Sequence, residues 1–226
     1  MQNKRFAIIL VSVFVFLTLL LIFIGAIREI VPQMAEYRAA EQAYQEVREI
    51  ARPSVEDVEG EEPQRIDWVA LRHLNPNSVG WIVVDGTNID YPIVRGMDND
   101  WYLHHTVTGE RNTSGAIFMD HRNDAGFFDP HTLIFGHDMR NGTMFAGLHG
   151  FTGDTFRIYT HNGVLEYAVF SRRIVAADDV LYMFPSLEEH EGRIVTLSTC
   201  VFRRDDLRFV VQGILVEGDK SYDKIY

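Results

Sequence analysis

The chain has a single cysteine, Cys200, and it is the first residue whose type could do chemistry. One thiol cannot close an internal disulfide, and the sequence holds neither a Cys-x-x-Cys pair nor a Cys/His cluster of zinc spacing. Two readings remain: a buried cysteine that packs as a small hydrophobe, or a nucleophile. Cys200 follows the β-rich run RIVTLST at 193–199, and side chains at strand ends leave the core for a cleft, which favours the nucleophile. If 193–200 and 207–216 form a hairpin through VFRRDD, a symmetric register sets Arg208 opposite Cys200, each four residues from Arg204. Directly opposed Cβ atoms lie about 4.5–5.5 Å apart. A guanidinium at that range can favour a thiolate or a developing oxyanion. A surface arginine that snorkels over the sheet is the plainer account of Arg208, and Arg203 and Arg204 are local rivals.

Cysteine chemistry needs a proton carrier, and the histidines stand at 73, 104, 105, 121, 131, 137, 149, 161 and 190. His137 follows the apolar run TLIF and Gly136, again a strand end opening into a loop, whereas His161 falls in a hairpin turn and His190 in an acidic loop. His137 is the best-placed base. A metal site drawn from His104, His105, His121, His131 and His137 is a rival, but its irregular spacing is a weak signal, so neither metal nor cofactor is expected.

These groups must be positioned by a β-rich domain. Short β-favouring runs bounded by Gly, Asn, Asp and Pro fall at 80–84, 89–94, 115–119, 132–135, 155–160, 164–170, 193–199 and 207–216, which predicts a mainly β fold, an eight-stranded barrel or a sandwich. Asn162-Gly163 between two of them predicts a type I′ hairpin. Short helices are expected at 67–74 and 144–150.

Phe6 to Ile27 carries no charge over 22 residues, about 33 Å of helix against a hydrocarbon core of about 30 Å. Lys4 and Arg5 precede it, so the positive-inside bias predicts a single-pass anchor with residues 1–5 cytoplasmic, 6–27 in the membrane and 28–226 outside. The competing reading, a cleaved signal peptide, has a shorter apolar region. Apolar or small residues at Met34, Tyr37, Ala40, Tyr44, Val47 and Ile50 predict an amphipathic helix, followed by an acidic linker at 52–64. The domain expected to carry the chemistry is therefore 66–226, after a juxtamembrane helix and linker at 28–65. The whole chain has a net charge of -11 and a pI near 5.2. A nucleic-acid partner is not expected of so acidic a protein.

TLSTC at 196–200 with an arginine eight residues on, and IFGHDM at 134–139, resemble the signature segments of sortases, and most closely class B. The resemblance extends in order through LNPNSVGWIVVDGTNIDYPIVRG (74–96), DNDWYL (98–103), GAIFMDHRN (115–123) and NGTMFAGL (141–148). It implies a sortase-type eight-stranded β-barrel with N-terminal and short inserted helices, and a membrane-anchored cysteine transpeptidase of the cell surface. Cys200 then matches the nucleophile, His137 the family histidine and Arg208 the family arginine, while Asn99, Leu103, Phe135 and Ser198 match positions lining the peptide groove. The implied partners are secreted surface proteins with an NPxTx-like or related sorting signal and a cell-wall peptide amine. The alternatives are a non-catalytic peptide-binding surface module and a simple thiol endopeptidase.

Two departures stand out. Only 176–192, with Pro185 inside it, is available for the long helix usual between the sixth and seventh strands, so at most a short helix fits. Asp138 follows His137 where the family often has Asn, and its carboxylate is expected to favour the charged imidazole of His137.

Overall fold

The structure, a computed structural model, describes residues 2–52, 66–182 and 192–217. Nearly all of the expected linker, half of the 176–192 segment and His190 lie outside those residues. Residues 1–39 and 40–226 form two compact units. Helix α1 covers Gln2–Ala51, and its apolar stretch, with a mean hydropathy of 3.0, is long and apolar enough to cross a membrane.

Within the second unit the end of α1 presents Ala40, Tyr44, Val47 and Ala51 as one buried stripe, at i+4, i+3 and i+4 spacing. Ile50, expected on that face, is 48% exposed; one residue turns a helix by about 100°, which takes position 50 off a stripe centred on 47 and 51. Tyr44 Oη donates to the Gly115 carbonyl at 2.7 Å. Arg52 pairs with Asp90, whose carboxylate also accepts from Trp81 Nε1 at 2.6 Å. Helix α2 (Trp68–Leu74) starts where Asp67 caps the Ala70 N–H.

The strands are β1 (Ser78–Val84), β2 (Ile89–Arg95), β3 (Ile117–Met119), β4 (His131–Phe135), β5 (Thr155–Thr160), β6 (Gly163–Ala176), β7 (Ile194–Val201) and β8 (Arg204–Glu217). They close a barrel in the order β1-β2-β3-β4-β7-β8-β6-β5. Strands β6 and β8 outrun their predicted lengths because they pair with each other from Glu166↔Glu217 to Ala176↔Leu207, so the ladder extends beyond the apolar pattern. The β5–β6 hairpin forms, but Thr160 pairs with Gly163, so the turn is His161-Asn162 and Gly163 opens β6. Short 3-10 turns stand at Phe145–Gly150, as expected, and at Val180–Tyr182. The core holds Trp81, Phe118, Phe145, Phe156 and Tyr167.

Two pairings are parallel, β2 with β3 and β4 with β7. The second places the site. Parallel neighbours end on the same rim, and Phe135 pairs with Ser198. His137 and Cys200, each two residues further on, therefore leave the barrel side by side.

Candidate active site

On that rim a cleft of about 320 Å³ is lined by Asn99, Leu103, Phe135, His137, Ser198, Cys200 and Arg208, the seven residues named from the sequence. Cys200 is partly buried and has a free thiol. Arg208 is its cross-strand partner. The register reaches that pairing by another route than a symmetric loop, because Val201 pairs with Arg204 and residues 205–207 form a bulge with no partner on β7. The tip is then Phe202-Arg203, with Arg203 at φ 60°. The bulge has a use at the site: Arg208 Nη1 donates to the carbonyls of Asp205 and Leu207, at 2.8 Å each. Such bulges re-aim side chains beside active sites. Arg208 lines the cleft, and its Nε and Nη2 have no hydrogen-bond partner among the described residues.

His137 Nε2 lies 2.8 Å from the Leu103 carbonyl. A carbonyl only accepts, so Nε2 carries a hydrogen and Nδ1 is the nitrogen left to exchange a proton. Gly136 is required just before it, since a Cβ there would fall 2.4 Å from Ile117 Cδ1 and 2.8 Å from the Phe145 ring. The Asp138 carboxylate meets a different histidine: its Oδ2 lies 3.3 Å from His149 Nε2. Consecutive side chains in this turn diverge, and the one beside the base points to a different histidine.

The cleft wall also contains residues that sequence reasoning passed over. Asp120, almost fully buried, accepts at Oδ1 from the Arg122 N–H and Nε and at Oδ2 from Arg122 Nη2 and Asn99 Nδ2, all within 2.9 Å. Burial alone would raise its carboxyl, but the Arg122 and Asn99 hydrogen bonds outweigh that and hold it below the ordinary carboxylate range. Asn99 Oδ1 accepts from the His121 N–H, so both ends of its amide are held in the wall. Arg122 reaches the Tyr182 carbonyl at 3.1 Å, and Tyr182 Oη meets Ser198 Oγ at 2.8 Å, with burial raising the phenol. The Tyr182 and Phe135 rings lie 6.2 Å apart. Among the described residues no group of three or more His, Cys, Asp or Glu is placed to hold a metal ion. A thiol, an imidazole and a guanidinium around one cleft are the parts of nucleophilic acyl transfer.

A family model described as a sortase domain matches residues 82–216. A curated relative, sortase B of Listeria monocytogenes, is 34% identical over 178 residues, covering 65% of this chain and 72% of the relative. This chain is a class B member of the sortase family. Solved sortases agree: sortase B of Bacillus anthracis is 28% identical with a TM-score of 0.65, covering 82% of this chain and all of that one, and sortase B of Clostridium perfringens is 30% identical with a TM-score of 0.58, covering 65% and 98%. As a sortase the protein is a cysteine transpeptidase of the cell envelope, of the family that joins surface proteins to cell-wall peptides.

Proposed function

We propose that this sortase is anchored by residues 6–27 with residues 1–5 in the cytoplasm, and that residues 66–226 work outside the membrane on an NPxTx-like or related C-terminal sorting signal. The Cys200 thiolate attacks the carbonyl carbon after Thr, the C–S bond forms, and the Thr–X C–N bond breaks as His137 Nδ1 gives its proton to the leaving amine. An incoming cell-wall peptide amine then attacks the thioester, loses a proton to His137, and releases the thiolate. Arg208 holds the oxyanion of each tetrahedral intermediate, a role worth about 10²–10³-fold in kcat for comparable donors. Leu103, Phe135 and Ser198 line the peptide groove, and Asn99 braces its wall.

The observation that carries this reading is that β4, β7 and the β8 bulge bring His137, Cys200 and Arg208 to one cleft together with those lining residues. Its test is intact-mass spectrometry of the full chain in detergent micelles with NPxTx-type and xPxTG-type peptides, with and without an amine. The expected result is an acyl adduct that is absent in Cys200→Ala and converted by amine into a transpeptidation product. Binding with no adduct would leave a peptide-binding module, and release to water regardless of amine would leave an endopeptidase.

A further inference from the structure

Groups for the reaction arrive on three separate segments: His137 in the loop after β4, Cys200 at the end of β7, and Arg208 on β8. A second histidine touches all three. His149, in the 3-10 turn Phe145–Gly150, places Nε2 3.2 Å from the carbonyl oxygen of Cys200 itself and 3.3 Å from Asp138 Oδ2, next in sequence to His137. Its ring stacks on Phe209, next in sequence to Arg208, with centroids 4.8 Å apart. The Cys200 carbonyl only accepts, so Nε2 carries a hydrogen and donates it there, while the Asp138 carboxylate stands beside it at ion-pair distance. The Cys200 carbonyl sits where the β7–β8 ladder shifts register, between Cys200 and Val201. A side-chain donor there fixes a peptide plane at the point where the regular ladder is interrupted.

We infer that His149 is a positioning residue for the transpeptidation, whose Nε2–H ties the Cys200 backbone to the loop that carries His137 while its ring seats on the strand that carries Arg208. The inference rests on the proposed roles of Cys200 and His137. It needs the Nε2–H donor, with the ring stack a lesser contribution, and no charge on the imidazole. Asp138 stands beside the same nitrogen at 3.3 Å, on the loop that carries His137. The contacts involve neither substrate nor the reacting atoms, so the effect must appear in the speed of the chemical step and not in the affinity for peptide. Misplacement of reacting groups by about 1 Å is enough to cost about 100-fold.

Two substitutions separate the donor from the ring. His149→Phe keeps the stack on Phe209 and removes the N–H, while His149→Gln restores a side-chain N–H at about the reach of Nε2. With the full chain in detergent micelles, His149→Phe is expected to lose about 10- to 100-fold in kcat with KM within about twofold, and His149→Gln to recover to within about threefold of wild type. The side chain is 36% exposed, so neither variant is expected to unfold, and tryptophan-fluorescence melting checks that. A second readout needs no peptide: the rate at which iodoacetamide alkylates Cys200 should change in His149→Phe and return in His149→Gln. That readout separates the failures, because an absent adduct in wild type refutes the sorting reaction while the alkylation rates still test the tie. The inference is overturned if His149→Phe keeps both rates within about twofold, if Gln is as impaired as Phe, or if the loss lies in KM alone.

Discussion

Changing Asp120 to Asn tests whether the cleft wall is held by a charged network. The substitution keeps the side-chain shape but replaces one oxygen with an NH2 group. Oδ1 accepts from the Arg122 N–H at 2.9 Å and Nε at 2.8 Å, and Oδ2 from Arg122 Nη2 at 2.7 Å and Asn99 Nδ2 at 2.9 Å. Either orientation of the introduced amide therefore sets its NH2 against two donors. Hydrogen bonds to a charged group are worth about 1.5–3 kcal/mol each. The Arg122 side chain is 40% exposed and can turn to water, so the net loss is discounted to about 2–3 kcal/mol. A barrel of this size melts about 2–4 °C lower per kcal/mol, giving a fall of about 4–12 °C at pH 7.

The pH dependence follows from the same carboxylate. Its folded value lies below the ordinary one, so the stability it contributes is present in full above the unfolded value of about 3.9 and is lost as pH falls through the depressed folded value. The melting gap between wild type and Asp120→Asn should be level from about pH 7 to 5 and close below about pH 4. Tryptophan-fluorescence melts of the full chain in detergent across that range measure it. Peptide KM should rise as well, because Asn99 and Arg122 line the cleft and Arg122 holds the Tyr182 carbonyl. A gap under about 1 °C at pH 7, or one unchanged at pH 3, would refute the network.

Other substitutions probe the cleft one contact at a time. Gly136→Ala would press a methyl into Ile117 and the Phe145 ring, costing about 1–3 kcal/mol and shifting His137; kcat unchanged from wild type would count against that packing. Tyr182→Phe removes the 2.8 Å bond to Ser198 Oγ and should cost about 1 kcal/mol in stability, read in the same melts, with a rise in peptide KM; no change in either would show the bond to be idle. The Thr199 hydroxyl is buried with no partner among the described residues, so Thr199→Val should stabilise the protein by about 1 kcal/mol, and a lower melting temperature would refute that assignment.

The strands were legible because half-buried β-structure writes itself as short apolar runs between turn residues, and all eight runs became strands. Their directions were not, since a run such as TLIF reads the same in a parallel or an antiparallel pair. The β4–β7 pairing that brings His137 to Cys200 was therefore visible only as two strand ends, each of which looked like an exit to a cleft. At the β7–β8 hairpin, equal spacing from Arg204 led to the right partner for Cys200. The turn itself is tighter and lies earlier, because a bulge at 205–207 absorbs three residues, and bulges leave no mark in an apolar pattern. Asn162-Gly163 misplaced its turn by one residue for a related reason: Asn accepts a turn position beside His161, and Gly163 can open the next strand.

The catalytic candidates could be read because each is rare or stands at a strand end: one cysteine, one histidine after a glycine at the end of an apolar run, one arginine opposite the cysteine. The residues that brace them have no such mark. Asp120 and Arg122 are ordinary charges in a loop, and only the fold turns them toward Asn99 and Tyr182. Asp138 shows how adjacency misleads. As the neighbour of His137 it looked like the partner of that imidazole, yet its carboxylate reaches His149, eleven positions further on. Backbone geometry decides which side chains meet in a loop, so a charge read from sequence can be assigned to a site without being assigned to a partner. In this sortase the site is framed by strand register, and side chains that hold backbone carbonyls brace it: Arg208 on the bulge, Arg122 on Tyr182, and His149 on Cys200. Such bonds cost little in sequence specificity, since any residue supplies a carbonyl, but they fix where the cysteine, the arginine and the groove wall stand before a peptide arrives.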